Sequence, residues 1–205
     1  MRDFVQIPAV NHLGVNHFKV NHFKINHFKV NHFKVNHFRK DNKQMEIERK
    51  FLIKSLPDNL ESYPCDTLTQ AYISTEPVIR VRQKNDQYIL TLKSAGLLAR
   101  EEVEMPLSEE SFSHLLSKKD GISIEKKRYK IPDEPYLIEL DIFEGAYKGF
   151  CMAEVEFPDI EQANAYNAPS WFGPEVTMDT RFHNSNLSKR TEEEIQDFLT
   201  FIQTM

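Results

Sequence analysis

The chain has 205 residues, of which 40% are hydrophobic and 28% charged, with a formal net charge of −5. This composition is ordinary for a globular protein, and no apolar run approaches the ~18 residues that a membrane span needs. The N-terminus has no continuous apolar region like that of a secretory signal. Cys65 and Cys151 lack metal-type spacing, and two isolated thiols fit a reducing compartment. We therefore expect a cytoplasmic protein that does not associate with membranes.

The first 44 residues differ in character from the rest. They contain eight Lys or Arg and two Asp, a net charge of +6, whereas the remaining residues carry −11. Between Val15 and Arg39 a five-residue unit, V/I-N-H-F-K/R, is repeated five times. A period of five matches neither a helix nor a strand. We predict that residues 1–44 form a disordered low-complexity tail and that residues 45–205 form the functional domain.

Other interpretations of this tail stay open. Its evenly spaced histidines invite a metal-binding one, and a basic segment interleaved with aromatics could contact nucleic acid or a membrane surface. Near-perfect repetition is also typical of an expanded DNA repeat, so translation could instead begin at Met45. No specific nucleic-acid partner is predicted. The histidines are His12, His17, His22, His27, His32 and His37.

From Met45 onward, short alternating segments are separated by turn residues, a pattern that predicts strands. Ser108 and Thr191 each precede acidic residues and are typical helix N-caps. Eight strands with little helix favour a mainly β fold, an antiparallel barrel or sandwich with a few flanking helices. The predicted strands are 46–54, 68–74, 78–84, 87–94, 100–106, 122–131, 136–143 and 150–157, and the predicted helices are 108–118, 159–167 and 190–204.

Alternate residues of these strands place charges on one face and apolar side chains on the other. A sheet with one face in solvent alternates in the same way. Here, however, acidic pairs recur four times although neighbouring like charges repel, and the basic residues are also grouped. The acidic pairs are Glu46/Glu48, Glu102/Glu104, Glu139/Asp141 and Glu154/Glu156, and the grouped bases are Arg80, Arg82, Lys84, Lys93, Lys126, Arg128 and Lys130.

Segregated acids and bases suit a site that binds both a cation and a polyanion. Close carboxylates supply the hard oxygen ligands that Mg²⁺ and Mn²⁺ prefer, and clustered Arg and Lys side chains donate to phosphate oxygens. If the sheet closes with these faces inward, the charges line a tunnel. Such a tunnel is costly when empty but reasonable when filled with water or ligand.

The opening Glu46-Ile47-Glu48-Arg49-Lys50 resembles the ExExK signature of the CYTH, or triphosphate tunnel metalloenzyme, superfamily. Further segments follow in that family's order and extend the resemblance over residues 45–187. It implies an eight-stranded antiparallel β-barrel tunnel, like that of compact bacterial members, and Mg²⁺ or Mn²⁺ as cofactor. These segments are Gln70-Ala71-Tyr72, Arg80-Val81-Arg82, Thr91-Leu92-Lys93, Glu102-Val103-Glu104, Lys126-Lys127-Arg128-Tyr129, Glu139-Leu140-Asp141, Ala153-Glu154-Val155-Glu156 and Asp179-Thr180-Arg181-Phe182-x-Asn184.

The same resemblance implies roles for individual residues. Lys126, paired with Tyr72, is predicted to act as the base for an attacking water, with packing as the alternative role of Tyr72. The predicted metal ligands are Glu46, Glu48, Asp141, Glu154 and Glu156, with Glu102, Glu104 and Glu139 as further candidates. The predicted triphosphate ligands are Lys50, Arg80, Arg82, Lys93, Lys126, Arg128 and Lys189.

We therefore expect metal-dependent hydrolysis of a small triphosphate, foremost inorganic triphosphate to diphosphate and phosphate, because a minimal barrel offers no evident base-recognition pocket. An adenylate cyclase of the same superfamily and a thiamine or nucleoside triphosphatase are the enzymatic alternatives. Outside enzymes, a module that binds polyphosphate or RNA stays open. The four acidic pairs favour an enzyme, because anion binding alone needs no metal ligands. Whether two barrels pair as a homodimer stays open as well.

Overall fold

The computed structural model describes residues 47–93 and 102–205, with the backbone alone for Lys93 and Glu102. The described strands are β1 (Ile47–Ile53), β2 (Cys65–Thr75), β3 (Val78–Lys84), β4 (Gln87–Lys93), β5 (Glu102–Leu107), β6 (Asp120–Asp133), β7 (Tyr136–Phe143), β8 (Cys151–Phe157) and β9 (Phe172–Glu175). They form one antiparallel sheet in the order β5-β4-β3-β2-β6-β7-β8-β1-β9.

Helices are few and short in the described residues. Ser108 and Asp159 cap the first two helices by accepting backbone hydrogen bonds, and Thr191 forms a reciprocal capping box with Glu194. Such caps satisfy backbone N–H groups that have no partner within the helix. The helices are α1 (Glu109–Leu116), α2 (Ile160–Ala165), α3 (Asn184–Leu187) and α4 (Glu192–Ile202), and 3-10 turns occur at Leu60–Ser62, Gly145–Tyr147 and Thr180–Phe182.

The prediction of a mainly antiparallel β fold with a few helices is confirmed, since all eight predicted strands and three predicted helices are present. The sequence missed β9, which has only four residues and contains Gly173 and Pro174. Such a segment has no alternating pattern, and its pairing with β1 at Phe51 and Ile53 is a tertiary contact. The four-residue helix α3 was missed for the same reason, because a single turn has no detectable period.

The sheet is curved around its charged face. Glu104 on the edge strand β5 and Glu48 on β1, near the other edge, line one cavity. Between the described residues of β5 and β9 no ladder closes the sheet by hydrogen bonds. The predicted closed eight-stranded barrel is therefore observed as a nine-stranded, barrel-like sheet, because β9 adds a strand at the outer side of β1.

Helices cover the apolar outer face of the sheet. Phe112 of α1 packs against Ala71 and Val81 in one buried cluster. On the opposite wall, a second cluster joins the outward residues of β1, β7 and β8 to α2 and β9. Because the outer face is covered in this way, the charged face is left to form the interior.

One end of that interior is filled by the C-terminal segment. We call Phe182, Leu187, Ile195 and Phe198 the C-terminal plug, because these buried side chains pack in one cluster with inward-facing strand residues. On each of these strands, the next residue of the inner face, two positions away, is charged. The apolar plug and the charged site therefore share one interior. The strand residues of this cluster are Leu52, Ile124, Phe143 and Met152.

The plug is held against β6 at Gly121. The neighbouring amide of Ile122 donates to the carbonyl oxygen of Ser188 at 2.8 Å. Gly121 has φ of +70°, and a Cβ there would lie 2.0 Å from that oxygen. A glycine is therefore required at this position by both backbone conformation and space.

We expect Gly121→Ala to lower the free energy of unfolding by more than ~3 kcal/mol, because backbone strain and a steric clash add up. Gly149→Ala is the matched control, with φ of +99° and nothing within 4 Å of an added Cβ. It should cost only the strain, ~1–3 kcal/mol. Urea denaturation of the two variants compares the losses, and an equal or smaller loss at Gly121 would contradict the close approach.

Candidate active site

The inward faces of seven strands and the start of α3 enclose a cavity of about 510 Å³. Because side chains two apart on a strand share a face, the alternating charges of the sequence converge here. Its size lies in the ordinary range for a small-molecule site. The described lining residues are Glu48, Lys50, Tyr72, Val78, Arg80, Arg82, Glu104, Lys126, Arg128, Glu139, Glu154, Glu156, His183, Asn184 and Ser185.

Asp141 organises the basic residues of β6. It is fully buried, and its two oxygens accept from Arg128 Nε and Nη2, each at 2.6 Å. Lys126, itself only 1% exposed, donates to the same carboxylate and lies over the ring of Phe143. Arg128 also contacts Glu139, and its Nη2 donates to Glu154 at 2.7 Å. These bonds fix both cations at the cavity wall.

Lys50 on β1 is held in a similar way. Its Nζ lies 2.5 Å from Glu48 Oε1 and 2.6 Å from Glu154 Oε1. Burial works to lower the pKa of Lys50, but Glu154 and Glu48 outweigh it, so the pKa lies above its ordinary value. Lys50 therefore stays charged.

Glu154 lies among three cations. Burial alone would raise the pKa of Glu154, but Lys50, Arg128 and Lys126 hold it well below its ordinary value. For Lys126, burial and the neighbouring Arg128 lower the pKa, although Asp141 and Glu154 act in the opposite direction. Of the two lysines in this network, Lys126 is therefore the one whose pKa is lowered.

On the opposite wall, Thr91 connects Arg80 to Glu104. Arg80 Nη2 donates to Thr91 Oγ1 at 3.1 Å, and that hydroxyl donates to Glu104 Oε1 at 3.0 Å. The three residues are register partners across β3, β4 and β5. This relay holds the guanidinium while Glu104 stays 3.8 Å away from it.

Arg82 is compensated least among the cations of the cavity. Of the described carboxylates, none forms an ion pair with it, and its buried Nε has no hydrogen-bond partner in this part of the chain. Burial, Arg80 and Arg128 lower the pKa of Arg82 to about 10. A half-buried guanidinium whose buried Nε has no described partner, with cationic neighbours, favours an anion in the cavity.

Two pairs of glutamates face each other directly across strand pairs. Glu48 pairs in register with Glu156, and Glu139 pairs with Glu154. Like charges directly opposite are destabilising, and carboxylate oxygens are the ligands that hard divalent cations prefer. Within the described ranges no three His, Cys, Asp or Glu residues converge as a ready-made metal cage. The opposed carboxylates of Glu48 and Glu156 are donors that fit a hard divalent cation such as Mg²⁺.

The structure places most of the predicted site residues at this cavity. Asp141, a predicted metal ligand, lies behind the wall with both oxygens bonded to Lys126 and Arg128. Lys189 is exposed and is not among the lining residues. Glu46 lies outside the described residues, as do the side chains of Lys93 and Glu102. The roles predicted for the site residues, whether they line the cavity or not, stay predictions.

Several polar residues of the site were not predicted. His183, Asn184 and Ser185 line the cavity at the start of α3. Gln70 is 1% exposed, is the register partner of Arg82, and has an Nε2 without a described partner. Its position in Gln70-Ala71-Tyr72, two residues before Tyr72 on the same face, was the available signal. The late segment ending at Asn184 was noted, but nothing in its pattern placed it at the cavity.

None of the helices within the described ranges is long and apolar enough to cross a bilayer.

A curved antiparallel sheet whose interior combines carboxylate pairs with clustered guanidinium and ammonium groups defines a CYTH domain, and the model of that family matches residues 44–192. The chain belongs to the CYTH family. It is 41% identical over 149 residues to an inorganic triphosphatase of Nitrosomonas europaea, covering 70% of this chain and 96% of the relative. An inorganic triphosphatase of Acetivibrio thermocellus is 40% identical over 152 residues, with 70% and 93% covered. A crystal structure of an inorganic triphosphatase matches with a TM-score of 0.59 and 35% identity, covering 71% of this chain and 95% of that one.

We expect Asp141→Asn to lower the free energy of unfolding by ~3–5 kcal/mol, because it leaves Lys126 and Arg128 buried without their shared counter-charge. Glu139→Gln removes a carboxylate that contacts Arg128 from a partly exposed position. That control should cost less than ~1 kcal/mol. Chemical denaturation at neutral pH measures both variants, and similar losses would contradict a central role of Asp141.

The depressed pKa of Glu154 also predicts an acid dependence. A carboxylate whose folded pKa is lowered contributes stability above its unfolded pKa, here 4.5, and loses it as the pH falls through the folded value. We expect the unfolding free energy to fall below about pH 4.5, and to fall less steeply in Glu154→Gln. Urea denaturation from about pH 6 to about pH 3 tests this, with Glu193→Gln on the exposed face of α4 as the control. Equal slopes for all three proteins would refute it.

Proposed function

We propose that this protein hydrolyses inorganic triphosphate to diphosphate and phosphate with the help of Mg²⁺ or Mn²⁺. The observation that carries the proposal is the half-buried, poorly compensated Arg82, whose Nε is buried, in a cavity that also holds Arg80 and Arg128. The inorganic triphosphatases at 41% and 40% identity support the same substrate. The CYTH triphosphatases are metal-dependent as a family.

The two walls of the cavity would make different contacts with a bound phosphate chain. On β3, Arg82 offers a buried Nε without a hydrogen-bond partner among the described residues, and Arg80 lines the cavity beside it. On β1 and β6, Lys50 and Arg128 are already held by acids and present a fixed positive edge. A flexible, highly charged chain of phosphates can therefore lie between the walls and replace water as the counter-charge of β3. Bidentate contacts from guanidinium groups orient it.

The opposed glutamates would hold the metal. Glu48 and Glu156 form one such pair, and Glu139 is the further lining carboxylate near Arg128. When bound, a divalent cation would neutralise phosphate charge and lower the cost of the spreading charge in the transition state. It would also relieve the repulsion within the glutamate pair.

Hydrolysis needs a water in line with the terminal phosphorus and a group that accepts its proton. As the oxygen of that water bonds to phosphorus, the bond to the bridging oxygen breaks and diphosphate leaves. Lys126 lines the cavity together with Tyr72, and its pKa is lowered by burial and by Arg128. That direction suits a proton acceptor. We assign the proton to the neutral form of Lys126, which its lowered pKa makes accessible, with Tyr72 positioning the water.

The cavity lining supports an inorganic substrate over a nucleotide. Apart from Val78 and the ring of Tyr72, the described lining side chains are charged or polar. A nucleobase gains affinity from apolar or aromatic contact, and this cavity offers little of either. The cavity therefore supports the activities of an adenylate cyclase, a nucleoside triphosphatase or a thiamine triphosphatase less well than hydrolysis of inorganic triphosphate. A cytoplasmic location and a homodimer stay predictions from the sequence.

We expect the purified full-length chain to release phosphate from inorganic triphosphate with Mg²⁺ or Mn²⁺, and much more slowly from ATP, thiamine triphosphate and diphosphate. The double variant Glu48→Gln/Glu156→Gln should lose ~10²–10³-fold in kcat, since opposed carboxylates are removed where charge must be balanced. Malachite-green detection of phosphate measures the rates, and cyclic AMP is assayed in parallel.

Glu192→Gln/Glu193→Gln is the matched control, because it removes two charges from the exposed first turn of α4. It should retain the parent rate. Cyclic AMP formed from ATP without phosphate release would make the protein a cyclase. Tight triphosphate binding without any product would leave an anion-binding module.

A further inference from the structure

A second group of charges lies beside the cavity and outside its lining. Lys84 follows Arg82 by two residues on β3, and Lys130 follows Arg128 by two residues on β6, so each shares the inner face with its neighbour. Asp66 on β2 is the register partner of Arg128 and also belongs to the inner face. We call Asp66, Lys84 and Lys130 the rim cluster.

The cluster is a carboxylate shared by two lysines. Asp66 Oδ2 lies 2.9 Å from Lys130 Nζ and 3.3 Å from Lys84 Nζ. The Asp66 side chain is 15% exposed, and the two lysine side chains are about one-third exposed, at 33% and 34%. The cluster therefore carries one net positive charge at the edge of a cavity that binds anions.

The turn between β3 and β4 orients the carboxylate. Asn85 Nδ2 donates to Asp66 Oδ1 at 2.8 Å, and Asn85 Oδ1 accepts from the amide of Thr67 at 2.9 Å. Burial raises the pKa of Asp66, but Lys130, Asn85 and Lys84 outweigh it and lower the pKa to about 2. Asp66 is thus ionised and fixed between the lysines at neutral pH.

The position of the rim cluster relative to the C-terminal plug determines in which direction a bound phosphate chain can extend. Along β6 the inner face runs from Ile124, which contacts the C-terminal plug, through Lys126 and Arg128 to Lys130. A phosphate chain bound at Arg82 and Arg128 cannot extend toward the plug, because apolar side chains fill that end. It can extend only toward Lys84 and Lys130, ~6–7 Å further along their strands.

We propose that Asp66 is a specificity-determining residue that limits the length of the phosphate chain this site accepts. Its carboxylate occupies the two lysines that would otherwise bind a fourth phosphate. This inference rests on the proposed triphosphatase function and deepens it: short, unbranched polyphosphate is the substrate class, and Asp66 sets its upper limit.

The test compares inorganic tetraphosphate with inorganic triphosphate. Asp66→Asn keeps the size of the side chain and frees both lysines. We expect it to raise the ratio of kcat/KM for tetraphosphate over triphosphate about fivefold to tenfold, the range expected for freeing partly exposed charges. Adding Lys84→Gln and Lys130→Gln to that variant should return the ratio to the parent value. Asp197→Asn, on the exposed side of α4, controls for the change in net charge.

An unchanged ratio in Asp66→Asn would overturn the proposal, and so would a rise that persists without the two lysines. Thermal denaturation verifies that the variants are folded, and Asp66→Ser gives a second variant with the same expected rise. If the parent protein hydrolyses none of these anions, the proposed function fails by itself. Calorimetric titration with tetraphosphate and triphosphate then still tests the rim cluster, because the affinity ratio should shift in the same direction.

Discussion

The fold holds charged groups inside a curved sheet, which costs free energy unless those charges are paired. The ion pairs of Asp141 with Lys126 and Arg128 offset much of this cost. Isolated buried charges cost several kcal/mol each. Asp141 bonds two cations at once, and the strand register β6–β7–β8 brings Glu154 to Arg128 as well. This network fixes one wall as a balanced surface with little need of a ligand.

The opposite wall has fewer ion pairs among the described residues, and the two sides of the cavity therefore attract ions of opposite charge. Arg82 on β3 has no ion pair with a described carboxylate, whereas Lys50 on β1 has two. An anion therefore gains most by contacting β3, while the opposed carboxylates of β1 and β8 favour a cation. The free energy that this imbalance costs must come from elsewhere in the fold. The three apolar clusters, including the C-terminal plug that seals one end, supply it by burial.

Much of this architecture could be read from the sequence, because a period of two fixes which residues share a face. The strands, the segregated charges and most of the cavity lining followed from that rule and from the family resemblance. The rule does not specify which acid contacts which base. Asp141 and Glu48 have the same pattern in sequence, yet register between distant segments places Asp141 behind the wall and Glu48 in the cavity. The exposed position of Lys189 outside the cavity lining and the approach of His183 to Ser185 to the cavity could not be predicted, because tertiary contacts without any local period determine them.

In the rim cluster, the same pairing of acidic with basic side chains would limit the length of the bound phosphate chain. Lys50 pairs with Glu154 and Lys126 with Asp141, each on a neighbouring inner-face strand, and these pairs stabilise the site itself. Asp66 instead neutralises cations one step beyond the site, where they would extend the attraction for phosphate along the tunnel. A basic track without such a carboxylate would attract any polyanion that fits its width, because charge alone carries no information about length. Placing one fixed carboxylate where the track continues converts general anion attraction into selection by size, at the cost of a few contacts at the open end.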